Sequence, residues 1–422
     1  MKKINFYYDS KQLNRNWFLN LDKSPKSGTE YAISNLAIYL SNYYKVNFFC
    51  TKLPSDIIHK NIKFKKLKVF TNIDKHIEQG EYLISNYSQE KFYLKEITSK
   101  KKKYIKHIVW LHNTPPFELL IKLEDNVNIY KLITVSDTQR INLSYVKIFK
   151  KIITIPYIID FKFDIKKKYK IKEQILFIGS LTKSKGFHLL AKLWPSIYSK
   201  FPNWKLKVLG STNLYSNFNI KQNPEIFKYE SNFLKDIGGS YVKAKKNGVI
   251  FKGSVSRKKV FFEILKSKII VVNPNIHGSF ETFCISAGQG LLLGKPILGS
   301  IKGSLPEVIN EGGLLHSSEA EFKNNIVKLI SDKNLRLRLG RFGKKNYKKN
   351  FKIHTIQKKW IDLLSNKKIN NYYQKKIYLN NINEFFIKSL IRIFFSNNLI
   401  FFLKNTLKKL KTILNQNFIK YD

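Results

Sequence analysis

The chain has 422 residues, 43% hydrophobic and 14% aromatic, and a formal charge of +48 from 77 Lys and Arg against 29 Asp and Glu. This excludes a disordered chain and matches two domains of ordinary size, each large enough for its own core. Two cysteines far apart, Cys50 and Cys284, exclude a disulfide framework and fit a reducing compartment.

In chain order, residues 4–8 read as a strand, interrupted by Asp9 and Lys11 too soon for a signal peptide. A helix follows, with Ile33, Leu36, Ala37 and Leu40 on one face. Ser27-x-x-Glu30 at its start has the form of a capping box, which by itself explains both residues. Gly28 at the same turn leaves room for a ligand phosphate or an acceptor. Strands are expected at 46–50, 82–85, 107–111, 131–135 and 151–155. The third ends in His112-Asn113-Thr114-Pro115-Pro116, a loop its prolines keep from continuing. Strands alternate with helical segments, the pattern of βαβ units and a parallel sheet, in which ligands bind at the carboxyl ends of the strands. His112 and Ser136 both fall there.

The basic stretch 161–172 separates the halves: a first domain at 1–165, a second at 166–364 and a tail at 365–422. The second half restarts with a strand at 174–178 and the turn Gly179-Ser180-Leu181-Thr182-Lys183-Ser184-Lys185-Gly186, then a helix. Such a turn suits a diphosphate, with N–H groups for geometry and an ammonium for charge. Further strands are expected at 205–209 and 249–251, the latter leaving through Lys252-Gly253-Ser254. Residues 213–247 lack clean periodicity, although 226–237 suits a helix. The β-branched run 269–272 is a buried strand. After it come Asn273-Pro274, a loop containing Glu281-Thr282-Phe283-Cys284-Ile285, and a small-residue helix through Gln289. A strand is expected at 296–299, a turn at Glu311-Gly312-Gly313, and helices at 318–330, 333–347 and 354–364. No internal repeat is visible.

In the tail, Leu403, Leu407, Leu410 and Leu414 sit at helical spacing among lysines, and Glu384 and Asp422 are its only acids. A basic amphipathic helix of this kind lies on an anionic membrane surface, packs on the protein itself or pairs with a partner. No run reaches the roughly 20 apolar residues needed to cross a bilayer. The expected location is the cytoplasm, either soluble or peripheral on the inner face of the membrane. Basic residues are dispersed and no recognition motif accompanies them, so nucleic acid is not an expected partner.

Gly179…Lys185-Gly186, Asn273-Pro274…Glu281-Thr282-Phe283-Cys284-Ile285-Ser286-Ala287 and Gly303-Ser304-Leu305-Pro306-Glu307 resemble the motifs of glycosyltransferase family 4, retaining enzymes of the GT-B fold. The resemblance spans residues 1–364 and is most specific from 175 onward. It implies an α/β protein with two Rossmann-like domains whose parallel sheets face a deep cleft, here with a basic helical tail. It also implies a nucleotide-sugar donor, bound mainly by the second domain, and a glycan or lipid-linked acceptor, bound mainly by the first. Under it, Lys185 neutralises the donor diphosphate, Glu281 contacts sugar hydroxyls and His112 approaches the donor from the opposite wall. Gly28, Gly179, Ser180, Gly253, Thr282, Phe283, Cys284, Ile285 and Gln289 complete the donor site. No metal or other cofactor is expected, because Lys and N–H groups do the neutralising.

The chain departs from the family pattern at three places. Gln289 stands where a second Glu is usual, Ser180 where an Arg often follows the glycine, and Tyr157-Ile158 where the family has Asn-Gly. A replacement cation from Arg257 or Lys252 is one reading. Another is a catalytically weak protein that binds nucleotide or glycan in a surface-polysaccharide pathway.

Overall fold

The computed structural model describes residues 2–8, 27–51, 57–59, 61–68, 73, 75–88, 91–97, 105–160, 169–212, 224–367 and 369. The predicted tail helix lies outside the described residues. The first domain contributes strands β1 (Lys3–Tyr7), β2 (Lys45–Cys50), β3 (Ile57–His59), β4 (Ile62–Lys66), β5 (Tyr82–Asn86), β6 (Lys106–Leu111), β7 (Ile129–Thr134) and β8 (Ile152–Thr154). Its helices are α1 (Gly28–Leu40), α2 (Lys91–Ile97), α3 (Phe117–Glu124) and α4 (Asp137–Ile141). The sheet runs β3-β4-β2-β1-β5-β6-β7-β8. It is parallel except where the edge strand β3 pairs antiparallel with β4. The interior strands are apolar on both faces, as burial under two helical layers requires.

The second domain contributes β9 (Gln174–Ile178), β10 (Lys205–Leu209), β11 (Val249–Phe251), β12 (Ile269–Val272), β13 (Ile297–Ser300) and β14 (Gly313–His316). Its helices are α5 (Phe187–Lys200), α6 (Pro224–Asp236), α7 (Tyr241–Lys246), α8 (Arg257–Lys266), α9 (Ile285–Leu292), α10 (Leu305–Ile309), α11 (Glu319–Ser331), α12 (Lys333–Asn350) and α13 (Ile353–Leu364). The order is β11-β10-β9-β12-β13-β14, all parallel. The chain leaves β9 toward one edge, then returns to lay β12 on its other side. Between these two strands the connections diverge and a crevice opens at their carboxyl ends.

The sequence-based reading missed three strands. Ile62 and Phe64 of β4 are buried while Lys63 between them is exposed, the alternation of a half-covered strand near a sheet edge. β14 begins at Gly313, within the expected turn. A side chain at Gly313 would come within 1.9 Å of the Ile297 carbonyl, so glycine here permits close strand packing.

A single apolar cluster spans both domains, joining Ile4, Ile133 and Tyr157 to Phe283, Tyr347 and Trp360. Helix α13 supplies much of the bridge. Although it closes the second domain in sequence, α13 sets Trp360 edge-on to Trp110 of β6, with ring centroids 5.0 Å apart. Lys359 Nζ donates to the Thr154 carbonyl at 3.4 Å. Trp360 is fully buried, so Trp360→Ala should cost about 3–5 kcal/mol. A fall in the urea midpoint, largely restored in Trp360→Phe, is the expected outcome.

Candidate active site

Two loops, one after β9 and one after β12, meet at the crevice of the second domain, and glycines let them touch. A Cβ on Gly186 would lie 2.6 Å from the Asn275 backbone nitrogen, and one on Gly278 would lie 2.2 Å from the Ser184 carbonyl oxygen. Polar bonds finish the seam: Asn275 Nδ2 donates to the Lys183 carbonyl at 2.8 Å, and the Ser279 N–H donates to Ser184 Oγ at 3.0 Å. Packed this way, the loops place Lys185 Nζ 2.6 Å from Glu281 Oε2.

Glu281 is held from several sides. Asn273 Nδ2 donates to the same carboxylate oxygen as Lys185, and the Cys284 N–H donates to Oε1 at 3.1 Å. Burial opposes ionisation of this carboxyl. The Lys185 charge, with hydrogen bonds from Lys185, the Phe283 N–H and Asn273, outweighs it and holds the pKa below the usual carboxylate range. Behind it, the Ser304 N–H donates to the Glu281 carbonyl at 2.7 Å. A Cβ on Gly303, whose φ is +64°, would lie within 2.4 Å of the Glu281 backbone. Cys284 carries φ +67° at the start of α9, a conformation costly for a residue with a side chain and held by its surroundings.

The first domain forms the facing wall. His112 leaves β6 with its Nδ1 2.8 Å from the Tyr157 hydroxyl and its ring stacked on that phenol, centroids 5.5 Å apart. Burial lowers its pKa to about 3, so the imidazole is neutral. Its Nε2 is buried with no hydrogen-bond partner among the described residues. Three contacts close the walls onto each other. Thr282 Oγ1 donates to the His112 carbonyl at 2.7 Å, and Ser136 Oγ lies 2.6 Å from Ser304 Oγ. The Glu307 carboxylate accepts the N–H groups of Asp137 and Thr138 at 3.0 and 2.7 Å.

The cavity between the walls is lined by His112, Lys185, Glu281, Gly28, Gly179, Ser180, Thr282, Cys284, Ile285 and Gln289. Neither Gly253 nor the Phe283 side chain lines that wall, while the Phe283 N–H bonds the Glu281 carboxylate. The Gly253 carbonyl is turned to the Gly210 N–H, 2.9 Å away. The Phe283 ring is fully buried against Tyr157 and Phe351. At Ser27 and Glu30 the capping box is present, with Ser27 Oγ accepting the Glu30 N–H and the Glu30 carboxylate accepting the Ser27 N–H. Gly28 faces the other domain, where a Cβ would meet Ile285 Cδ1 at 3.2 Å. Tyr157, Tyr31 and Asn273 also line the cavity. Tyr157 stood out in the sequence only as a departure from the family pattern, and Tyr31 was not singled out there. Among the described residues, no group of three or more His, Cys, Asp or Glu side chains is arranged to hold a metal ion.

A family model described as glycosyl transferases group 1 matches residues 159–346. An uncharacterized glycosyltransferase of Methanocaldococcus jannaschii is 26% identical over 332 residues, 74% of this chain and 73% of that protein. Sucrose-phosphate synthase from Thermosynechococcus elongatus shares the fold with a TM-score of 0.65 at 14% identity, over 87% of this chain and 99% of that one. HepE of Anabaena, solved in complex with UDP, gives 0.61 at 14% identity, over 87% and 100%.

The His112 environment carries a pH signature. The folded-state pKa, about 3, lies below the ordinary 6.5. As pH falls through 6.5 the unfolded chain therefore takes up a proton that the folded one refuses, and stability is lost from there down to about pH 3. His112→Gln should flatten unfolding free energy against pH in that window by up to about 1.4 kcal/mol per pH unit. Urea titrations at pH 5 and pH 7 measure the slope, and an unchanged slope contradicts the assignment.

Proposed function

We propose that the chain, which matches glycosyl transferases group 1 over residues 159–346 and has the GT-B fold, transfers a hexose from a nucleotide-diphosphate sugar to a glycan or lipid-linked acceptor. Transfer proceeds with retention at the anomeric carbon and without a required metal, and it serves the synthesis of cell-surface polysaccharide or lipopolysaccharide. The observation that carries this reading is the Lys185–Glu281 pair on one wall of the cavity, with neutral His112 on the other.

In the proposed reaction the bond from the anomeric carbon to the diphosphate breaks, and its electron pair leaves with the diphosphate. The acceptor oxygen forms the new bond on the same face, and its proton passes to the departing phosphate oxygen. Negative charge grows on phosphate while the sugar becomes oxocarbenium-like. Lys185 neutralises the first, and the ionised Glu281 beside it favours the second while holding sugar hydroxyls. The amino end of α9 adds its partial positive charge to the same side. His112, neutral and fixed by Tyr157, offers Nε2 to a donor hydroxyl without competing for the phosphate as a cation.

Gln289 and Ser180 support a second reading, a catalytically weak protein that binds nucleotide or glycan. Thermal shifts with UDP, GDP and ADP identify the base, because tight binding to the folded state raises the transition temperature by mass action. Release of nucleoside diphosphate from a panel of donors, reduced about 100-fold or more in Glu281→Ala, is expected of the enzyme. Binding without turnover of any donor decides for the second reading. For the basic tail, residues 366–422, we propose attachment to an anionic membrane surface. Deleting it should abolish cosedimentation with phosphatidylglycerol vesicles at low salt, and undiminished sedimentation of the truncated chain would refute the attachment.

A further inference from the structure

The cavity wall has one short polar residue where a long cation would be useful and one long cation arriving from another loop. Ser180 is 3% exposed, and its Oγ is buried without a hydrogen-bond partner among the described residues. It lines the cavity in the turn after β9, five residues before Lys185. Among the charged residues lining the cavity, the carboxylate is Glu281 and the cations are Lys185 and Arg257. Lys185 already lies against Glu281, so that pair is close to neutral. A nucleoside diphosphate brings at least two negative charges, which calls for a further cation.

Arg257 is placed to be that cation. It opens α8 just beyond β11, and β11, β10 and β9 are consecutive in the sheet. Their exit loops are joined: the Gly210 N–H donates to the Gly253 carbonyl at 2.9 Å, Ser211 Oγ lies 2.9 Å from Ser254 Oγ, and the Leu181 N–H donates to the Ser211 carbonyl at 3.1 Å. Two strand spacings, about 10 Å, therefore separate the Arg257 loop from the Ser180 turn, a gap a guanidinium on its long side chain crosses in large part. Lys252, the other cation in that loop, is exposed and does not line the cavity.

The guanidinium is held by the opposite domain. Arg257 Nη2 donates to the Tyr31 hydroxyl at 2.6 Å, and its guanidinium carbon sits 4.2 Å from the Tyr31 ring centroid. Tyr31 belongs to α1, and its oxygen also accepts the Asp160 N–H at 3.2 Å, in the segment leading out of the first domain. We propose that Arg257, with the Ser180 hydroxyl beside it, is the second diphosphate-binding group of the donor site. Tyr31 holds the guanidinium ready across the cleft until the donor draws it to phosphate. Donor binding and an interdomain contact thereby share one side chain. A bidentate guanidinium suits phosphate oxygens, and a serine hydroxyl at 180 leaves room for it.

The inference rests on the proposed nucleotide-sugar activity. Its test is calorimetric titration of UDP, GDP and ADP, and of their parent nucleosides, into the full chain and four variants. Arg257→Met should weaken the nucleoside diphosphate that binds by about 10- to 100-fold, with nucleoside affinity changed less than about 2-fold. Arg257→Lys should recover part of the loss. Lys252→Met should match the parent protein, and Tyr31→Phe, which keeps the charge and the ring but removes the hydroxyl that holds the guanidinium, should bind the diphosphate at least as tightly. Parent-like diphosphate affinity in Arg257→Met overturns the inference while leaving the proposed function standing. Equal losses in Arg257→Met and Tyr31→Phe also overturn it, assigning Arg257 to domain contact alone. If the parent protein binds none of the three diphosphates, the proposed function fails first and the inference falls with it.

Discussion

The contact between Lys185 and Glu281 is the constraint on which the site depends. A carboxylate this deep is stable as an anion only beside a cation and hydrogen-bond donors, and the fold supplies both from different strands. Lys185 follows β9 and Glu281 follows β12, and the two strands are adjacent because the chain reverses direction across the sheet there. Gly186 and Gly278 then allow the loops to come closer than side chains would permit. Without that approach, the ammonium could not reach the carboxylate, and burial would favour the protonated acid.

The same logic governs the join between the domains. Glu307 reaches across from α10 to accept the first N–H groups of α4, which have no partner inside their own helix. Burial raises its pKa while the bonds to Thr138 and Asp137 oppose that rise. With Thr282 on the His112 carbonyl and Ser304 on Ser136, these contacts fix where the second domain sits against the first. Each runs through a side chain set beside the site loops, so the two walls of the cavity are registered by the elements that carry the chemistry.

Much of the fold is legible in the chain because long apolar runs between glycine-rich turns have one good interpretation in an α/β protein. Residues 174–178, 205–209, 249–251 and 269–272 fold as read. The helix at 224–236 emerges from a region with weak periodicity because its buried face is narrow, with Glu230 and Phe233 as its buried residues. The edge strands β3 and β14, and β4 beside β3, were less visible because positions at or near a sheet edge need little apolar surface, and β14 starts on a glycine that otherwise signals a turn. At the site, Glu281, Lys185, His112 and Gln289 were found through motif and spacing. Gly253 shares those motifs but serves the loop backbone, and the Phe283 side chain packs in the core while its N–H bonds Glu281.

By itself the sequence determined the alternation of strands and helices, the two glycine-lined loops with Lys185 and Glu281 in them, and the histidine at the end of β6, because each depends on residues close together along the chain. Tertiary structure alone decided which groups share a wall. Tyr157 meets His112 across 45 positions, and Arg257 meets Tyr31 across 226. It also chose Arg257 over Lys252 as the cation facing the cavity. Local periodicity says which side of its own element a residue occupies. Only the order of strands in the sheets and the closure of one domain on the other set the distance between two such sides.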